Sequence, residues 1–382
     1  MSGDENRGVK LRLDSTQALR SCRGAIRIRR ASLQVCFIVC AGCRASRWPR
    51  RPRRVETSGI MICMHKPFVP IALTIVLAAG SVAAQPAGKR VFYLPRPAQP
   101  APWQAPMKPL VRLADLQAKH FGEPNWTEVV IADRNSFVEV IQAMPGSKVR
   151  RHLHPDSPHW WVVQKGRIRF EIEYPEGKFQ TIEARKGSYV YAAERHLHSL
   201  EVIGTEPAIR MDVTLRDASP VYESPLEGYP KGGAIEFLPV TLDTGLNPLD
   251  VPSPGGKPDR IHVNIEDLEA AHKGQASWSE PSMRKNRVRG NFIYGYPKSN
   301  PNRPGDRGHL HADFAEFWTV LRGKLRWDIE GAPGGPFVAE EGDIVYAPPM
   351  HFHHIEFVGD SGSCRLTSST YPSANHFYDP PH

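Results

Sequence analysis

Apolar and polar residues alternate along most of the chain after residue 110, which is typical of strands with one buried face. The segments RIRFEIEY (167–174) and KLRWDIEG (324–331) place an apolar residue at every second position, between charged ones. The segments SFVEVIQA and HIEFVG follow the same period, and Gly, Pro and Asp interrupt the pattern at short intervals. Many short strands separated by turns predict an all-β chain built as an antiparallel sandwich or barrel.

The pattern occurs twice. Residues 111–128 and 263–280 are identical at eight of eighteen positions with a constant offset of 152, and each predicts a short helix that ends near a glycine. Downstream, 152–166 parallels 309–323 and 187–198 parallels 342–353. The chain therefore contains a tandem duplication of a domain of roughly 150 residues, which is large enough for its own core. We expect the domains at 111–220 and 263–375, joined by a linker at 221–262.

The net charge of +9 is confined to the front of the chain. Residues 1–84 carry 15 Lys and Arg against 4 Asp and Glu, whereas the remaining 298 residues carry 34 against 36. A basic protein suggests a nucleic-acid partner. Because the duplicated part is slightly acidic, we expect no nucleic-acid partner.

The segment 61–84 has the features of a secretory signal peptide. Lys66 precedes an apolar run from Phe68 to Ala79, and small residues follow up to Ala84. The run is short for a membrane span, although a retained anchor is the alternative. We expect cleavage near Ala84, a periplasmic or secreted protein without a membrane anchor, and a Pro-rich arm at 85–110. Residues 1–60 are then a non-native upstream extension, with translation starting at Met61 or Met64.

The stretch HLHADFAEFWTVLRG (309–323) carries the strongest chemical signal. His309 and His311 lie two apart and point to one face of a strand. Glu316 follows on the next strand, and His353 can join them from a distant strand. Three imidazoles and a carboxylate would bind a divalent first-row metal and leave positions open for a ligand.

These spacings resemble the two motifs of the cupin family. His309, His311, Glu316 and Gly323 match H-x-H-x4-E-x6-G, and Gly342, Pro348 and His353 match G-x5-P-x4-H. Met350 stands where a glycine is common. The resemblance implies a bicupin: two tandem double-stranded β-helix barrels of the jelly-roll type, with short flanking helices. It also implies a divalent transition metal, which would be Fe, Mn, Cu, Ni or Zn.

The first copy departs from this pattern. His152, His154 and His198 match, but the glutamate position holds His159 and the proline position holds Ala193. This predicts a site of four histidines, in which neutral imidazoles could bind Fe, Ni, Cu or Zn. Alternatively, the first copy is a degenerate structural partner, because losing the glutamate removes a negative charge and a candidate base.

Other side chains near the motifs are weaker candidates. His196 and His351 each lie two residues before a ligand histidine, and either shuttles protons or is a polar residue at the barrel mouth. We assign catalytic roles to Glu316 and His351. Aromatic residues close to the ligand strands either line a cavity or belong to the core, and arginines there either hold an anionic substrate or lie at the solvated rim. These residues are Trp160, Trp161, Phe317, Trp318, Arg150, Arg151 and Arg307.

Three functions remain open at this stage, and each has a small-molecule partner. The first is a metal-dependent dioxygenase acting on an enolic, aromatic or carboxylate substrate. The second is a metal-dependent decarboxylase, isomerase or lyase without net redox chemistry. The third is a non-catalytic ligand-binding cupin. A homo-oligomer is compatible with all three.

Overall fold

The two copies of the sequence repeat fold into strands that follow the same order. The computed structural model describes residues 93–174, 177–223, 237–241, 260–285, 288–297, 305–370 and 374–378, all within one compact unit, Ala84–His382. The predicted upstream extension, the predicted signal peptide and most of the predicted linker lie outside these residues. No helix in the described part of the chain is long and apolar enough to cross a bilayer.

The first copy begins with β1 (Leu110–Val111) and helix α1 (Leu113–Lys119). Ten strands follow: β2 (Trp126–Ala132), β3 (Ser136–Ala143), β4 (Lys148–Leu153), β5 (His159–Lys165), β6 (Arg167–Glu173), β7 (Phe179–Arg185), β8 (Ser188–Ala192), β9 (His198–Ile203), β10 (Ala208–Leu215) and β11 (Val221–Tyr222).

The second copy begins with β12 (His262–Asn264) and helix α2 (Ile265–Ala271). Ten strands follow here too: β13 (Ser277–Lys285), β14 (Val288–Gly295), β15 (His309–Leu310), β16 (Glu316–Arg322), β17 (Lys324–Ile329), β18 (Phe337–Glu340), β19 (Ile344–Ala347), β20 (His353–Val358), β21 (Ser363–Ser369) and β22 (His376–Phe377).

Four antiparallel sheets close into two barrels, as the alternating pattern predicted. Barrel 1 has a six-stranded sheet in the order β12-β8-β5-β10-β3-β2 and a five-stranded sheet in the order β11-β4-β9-β6-β7. Barrel 2 has the corresponding orders β1-β19-β16-β21-β14-β13 and β22-β15-β20-β17-β18. The described residues therefore form an all-β structure of two equivalent jelly-roll barrels with two short helices.

The leading strand of each copy pairs with the barrel of the other copy. Strand β1 precedes α1 but pairs with β19, where Leu110 lies opposite Val345. Strand β12 precedes α2 but pairs with β8, where Val263 lies opposite Tyr189. This exchange is reciprocal, so each six-stranded sheet is completed by the other half of the chain.

The largest core lies between the barrels. The outward faces of the two six-stranded sheets bury aromatic and aliphatic side chains from both copies, among them Trp160, Tyr189, Met211, Phe292 and Phe317. The rings of Tyr189 and Phe292 meet edge to face at 5.8 Å. Each barrel also has its own interior core, built around Trp161 and Phe170 in barrel 1 and around Trp318 and Trp327 in barrel 2.

The repeated histidine and tryptophan after each helix are structural. His120 stacks on Trp126 at 4.8 Å and contacts Glu128, and His272 stacks on Trp278 at 4.7 Å and contacts Glu280. Because these pairs close the turn between a helix and the first long strand, they account for this part of the repeat without a functional role.

Candidate metal centres

In barrel 2, strand pairing brings the separated ligand residues to one end of the interior. His309 on β15 lies directly opposite His353 on β20, and Glu316 opens β16 opposite Ala347. Gly308 allows the close approach of β15, since its φ is +70° and a Cβ there would lie 2.0 Å from the carbonyl oxygen of His353. Only a glycine fits this position without moving a ligand strand.

The four side chains converge on one point. His311 Nε2 and His353 Nε2 each lie 3.1 Å from Glu316 Oε2, and His353 Nε2 lies 3.2 Å from His309 Nε2. His309 Nε2 is 3.8 Å from the same carboxylate oxygen. One ligand atom from each residue lies within 4.8 Å of all the others. The side chain of His309 is 23% exposed, the most of the four, so access from solvent is on its side.

Backbone carbonyls fix two of these imidazoles from behind. His311 Nδ1 donates to Ala374 O at 2.9 Å, and His353 Nδ1 donates to His351 O at 3.2 Å. Each ring therefore carries its proton on Nδ1 and presents the lone pair of Nε2 to the centre. Such outer hydrogen bonds orient histidines that bind metals.

The electrostatics favour a cation at this point. Burial raises the pKa of Glu316, but the three histidines around it outweigh burial, so its pKa lies well below the ordinary value. Burial also lowers the pKa of His353, against the attraction of Glu316. An ionised carboxylate and three imidazole rings converging on one point fit a divalent first-row metal, which all four residues would hold.

Barrel 1 gathers its four histidines in the equivalent place. His152, His154, His159 and His198 are all buried, and their nitrogens lie within 4.8 Å of one another. His152 Nδ1 donates to Arg150 O at 2.7 Å, and His198 Nδ1 donates to His196 O at 2.9 Å. Both rings thus present Nε2, as in barrel 2. The structure brings together every metal ligand predicted from the sequence.

A carboxylate that the sequence motifs did not reveal completes barrel 1. Asp212 on β10 lies opposite Trp161 and accepts hydrogen bonds from three side chains: His159 Nε2, Trp161 Nε1 at 3.0 Å and Arg210 Nε at 3.1 Å. His159 Nδ1 then faces His198 Nε2 at 3.0 Å. His159 would therefore bind a metal through Nδ1, unlike the other histidines, with Asp212 holding it from behind.

The pKa of three of the four histidines is lowered. The pKa of His154 is lowered to about 3, mainly by burial and further by His159 and His152. Burial likewise lowers the pKa of His152 and of His198. Burial raises the pKa of Asp212, but His159 and Arg210 reverse this, so it stays ionised. Four imidazoles with a carboxylate behind one of them also fit a divalent metal.

The two histidines that precede the ligands face backbone atoms. The ring nitrogens of His351 lie 2.9 Å from Pro349 O and 3.1 Å from Ala101 O, in the Pro-rich arm. His196 Nδ1 donates to Glu194 O at 2.8 Å. Neither belongs to a convergent ligand set. The catalytic role of His351 stays a prediction. The structure shows in addition that His351 contacts the Pro-rich arm.

The predicted aromatic residues divide between the interior and the core, and the arginines lie at the rim. Trp318 lies 5.1 Å from the ring of His353, and Trp161 lies 4.0 Å from His159, so both line a metal centre. Trp160 and Phe317 belong to the core between the barrels. Arg151 pairs with Glu171 at 2.9 Å.

The Pro-rich arm meets one of these arginines at the mouth of barrel 2. Arg307 contacts Glu330 and lies 4.1 Å from the ring of Phe352. Arg96 of the arm binds the same Glu330 through two hydrogen bonds, at 2.7 and 2.8 Å. Since Glu330 already neutralises part of their charge, neither arginine is a free anion-binding group.

Comparison with protein families identifies barrel 2. Residues 299–370 match the model of the Cupin domain family. Barrel 2 is a cupin domain. Barrel 1 repeats its strand order and its candidate ligand positions, so the described residues form two barrels of the same fold. No curated protein sequence matches the chain.

Solved structures of low sequence identity match part of this chain. Oxalate decarboxylase from Bacillus subtilis is 17% identical and covers 66% of this chain and 74% of its own, with a TM-score of 0.43. The formate complex of Lactobacillus farciminis oxalate decarboxylase is 15% identical, covers 67% and 85%, and has a TM-score of 0.43. A Cupin 2 conserved barrel domain protein from Leptotrichia buccalis is 11% identical, covers 68% and 95%, and has a TM-score of 0.45. Similarity at this level carries no information on substrate or reaction.

Proposed function

We propose that barrel 2 is the catalytic centre of a metal-dependent lyase that decarboxylates a small carboxylate without net oxidation. The observation that carries the proposal is an arginine on the interior side of the barrel that holds these metal ligands, two of whose nitrogens have no hydrogen-bond partner among the described residues. Arg365 on β21 lies between Val320 and Ile293, which both contact the interior core. Its Nε and Nη1 are buried and have no hydrogen-bond partner among the described residues. A buried donor of this kind calls for an acceptor, and a substrate carboxylate supplies one.

The charges of the centre also favour an anionic substrate. Burial lowers the pKa of Arg365 to about 10, with Glu316 opposing the change, so the guanidinium stays charged at neutral pH. A divalent metal held by Glu316 and three neutral imidazoles leaves one unit of positive charge. Together with Arg365, the barrel interior then favours a carboxylate over a neutral substrate.

The reaction needs a bond to break and a proton to arrive. The bond from the carboxylate carbon to its neighbour breaks, carbon dioxide leaves, and the electron pair stays on the neighbouring carbon until a proton takes its place. The bound metal would act as a Lewis acid that polarises the substrate. The proton comes from solvent water, and Glu316, the ionised carboxylate of the centre, can accept it and pass it to the carbon. Trp318, packed against His353, keeps water from its own side of the centre.

The test measures gas exchange by the metal-loaded protein. Small carboxylates, oxalate among them, are incubated under nitrogen, and released carbon dioxide is quantified. We expect release without oxygen, its loss in Glu316→Gln and His311→Ala, and its retention in the barrel 1 variant His154→Ala. Metal-dependent oxygen uptake would support a dioxygenase instead, and saturable binding without turnover would support a binding protein.

We also propose that the mature protein acts in the periplasm or outside the cell, on the evidence of the signal-like segment 61–84. The mature amino terminus, determined by mass spectrometry of protein purified from cells, tests this. We expect it at residue 84 or 85. Recovery of peptides from 1–60 in the mature protein would contradict both the signal peptide and the late start of translation.

A further inference from the structure

The Pro-rich arm lies against the mouth of barrel 2, close to the candidate metal ligands. Trp103 Nε1 donates to Gly331 O at 3.2 Å, and Ala101 O lies 3.1 Å from His351 Nε2. The guanidinium of Arg96 binds both a side chain and a backbone carbonyl of barrel 2. These contacts hold the arm at the end of the barrel where the candidate ligands converge.

Arg96 binds one carboxylate with two nitrogens of its guanidinium. Nη1 donates to Glu330 Oε2 at 2.7 Å, and Nη2 donates to Glu330 Oε1 at 2.8 Å. Nη1 also donates to Met350 O at 2.7 Å. The side chains of Arg96 and Glu330 are each 20% exposed, so the pair is shielded from most of the solvent. A bidentate pair of this kind fixes the direction of both side chains.

Glu330 also binds the backbone of the segment that carries His353. Glu330 Oε2 accepts from Phe352 N at 3.3 Å, and Glu330 N donates to Phe352 O at 2.8 Å. Phe352 directly precedes His353, and the Cζ atom of Arg96 lies 5.0 Å from the centroid of the Phe352 ring. The arm therefore holds both the backbone and the side chain of the residue next to a candidate ligand.

The same contacts extend to the two other histidines of the centre. Glu330 Oε1 also accepts from the guanidinium of Arg307, which lies two residues before His309. Met350, whose carbonyl the arm binds, donates its N–H to His311 O at 2.7 Å. Each of the three histidines is therefore joined to the arm through a close neighbour in the chain or through a backbone hydrogen bond.

Barrel 1 has the equivalent glutamate without the arginine pair. Glu173 and Glu330 are equivalent, because each follows an isoleucine that lies opposite a candidate ligand histidine. Glu173 Oε2 accepts from Leu197 N at 3.1 Å, and its Oε1 accepts from Gly177 N at 2.7 Å. Among the described residues no arginine binds Glu173. The bond to the backbone before the ligand histidine belongs to both barrels, whereas the arginine pair is specific to barrel 2.

We propose that Arg96 and Glu330 are positioning residues of the metal centre in barrel 2, through which the Pro-rich arm fixes the directions of its three histidines. Their role rests on the metal centre of the proposed function but not on its reaction. Groups behind histidine ligands hold the rings in the direction that suits the metal, and loss of one such group typically costs about 10- to 100-fold in metal affinity.

Binding of Mn²⁺ to the full chain tests this role. His154→Ala removes a ligand of barrel 1, so competition with a chelator then measures the dissociation constant of barrel 2. In this background Arg96→Gln should weaken Mn²⁺ binding about tenfold. Lys108→Gln, which removes an exposed cation elsewhere on the arm, is the matched control and should leave the constant unchanged. An unchanged constant in Arg96→Gln would overturn the proposal.

Paramagnetic resonance of the bound Mn²⁺ separates positioning from a general loss of stability. Arg96→Gln and Glu330→Gln should each change the zero-field splitting of Mn²⁺ in barrel 2. The double variant should bind Mn²⁺ about as tightly as Glu330→Gln alone, because both residues act through one pair. A lower free energy of unfolding with an unchanged spectrum would show a role in stability alone and overturn the proposal, as would additive losses of affinity.

Barrel 1 provides the control for specificity. In His311→Ala, which lacks a ligand of barrel 2, Arg96→Gln should leave the remaining Mn²⁺ binding unchanged, and a loss there would overturn the proposal. Failure of decarboxylation in the gas-exchange test would not affect these results, since only metal binding is measured. Absence of Mn²⁺ binding by barrel 2 in His154→Ala would overturn both the metal centre and the positioning role.

Discussion

Asp212 and Thr367 hold equivalent positions in the two barrels. Asp212 lies opposite Trp161, and Thr367 lies opposite Trp318 in the same register. On the neighbouring strands, His159 and Glu316 are equivalent, opposite Ala192 and Ala347. Each site therefore has one carboxylate, but on a different strand. In barrel 2 it is one of the four candidate metal ligands, and in barrel 1 it is hydrogen-bonded to one of them.

Asp212→Asn should weaken metal binding in barrel 1 alone. An amide cannot provide the charge that holds His159 and Arg210, and loss of such an outer partner typically costs about 10- to 100-fold in metal affinity. Competition with a chelator, with the metal at each site followed by paramagnetic resonance, measures this. Thr367→Val is the matched control, and we expect it to leave both sites unchanged. Equal loss at both sites would show that Asp212 acts on the fold rather than on His159.

The double variant His159→Glu with Asp212→Thr should give barrel 1 the ligand set of barrel 2. We expect each single change to reduce metal affinity and the second change to recover it, because the carboxylate has then moved from one strand to the other. A double-mutant cycle on the metal dissociation constant gives the coupling. Additive losses would mean that the two positions act independently.

Metal content should follow the two sites separately. We expect two metal ions per chain in the wild type and one in His311→Ala or in His154→Ala, since each variant removes a ligand from one convergent set. The double variant should bind none. Elemental analysis after dialysis against a weak chelator checks these numbers. Unchanged stoichiometry in His311→Ala would contradict the ligand assignment of barrel 2.

The metal-free protein should lose stability in acid. The folded pKa of His154 is about 3, below its ordinary value of 6.5, so the unfolded chain binds a proton that the folded chain does not between these limits. Stability therefore falls as the pH drops through this window. For His154 alone the loss between pH 7 and pH 5 is about 2 kcal/mol.

Urea unfolding at the two pH values, with chelator present, measures this loss. His154→Gln removes the titrating group and should reduce the pH dependence by about the same 2 kcal/mol. A wild-type free energy of unfolding that does not change between pH 7 and pH 5 would contradict the burial of these imidazoles in neutral form.

Phe292→Ala tests the core between the barrels. Phe292 is 1% exposed and contacts Tyr189 of the other copy, so truncation leaves a cavity and should cost about 3–5 kcal/mol. Phe121, which is 91% exposed, is the control, and Phe121→Ala should change stability by less than about 0.5 kcal/mol. Urea unfolding measures both. Similar small losses would mean that the two barrels are held mainly by other contacts.

Met350→Gly should not destabilise the protein, although glycine usually does. Met350 has a φ of +66° and Arg195, its equivalent, has 65°. Their N–H groups donate to the carbonyls of His311 and His154, at 2.7 and 2.8 Å. A non-glycine residue in this region costs about 1–2 kcal/mol, which exceeds the entropic cost of glycine of about 0.5–1 kcal/mol. Thermal unfolding, with Val338→Gly as a destabilised control, checks the sign.

The ligand positions were predictable because each follows a short-range rule. His309 and His311 share a face through the two-residue period of a strand, and the internal repeat doubles the evidence for every position. Asp212 was not predictable in this way, since it is one acid in an alternating strand and no motif includes it. Two differences between the copies could have pointed to Asp212. The position equivalent to Asp212 holds Thr367 in the second copy, and the position equivalent to Glu316 holds His159, without a carboxylate, in the first.

The exchange of β1 and β12 was also beyond the sequence. Strands of two and three residues carry too little pattern to show which sheet they join. Their partners are settled by packing between the barrels, which depends on contacts far apart in the chain. The contact of His351 with Ala101 has the same origin, because nothing local relates a Pro-rich arm to a histidine 250 residues later.

The reciprocal exchange has a consequence for how the protein can be divided. A cut in the linker gives one fragment for each barrel, but each fragment carries away a strand that completes the other and lacks one at its own sheet edge. The same geometry between two identical subunits would be a domain-swapped dimer. Gene duplication and fusion of such a dimer would place both partners in one chain, and the first copy could then lose its glutamate while the second kept it.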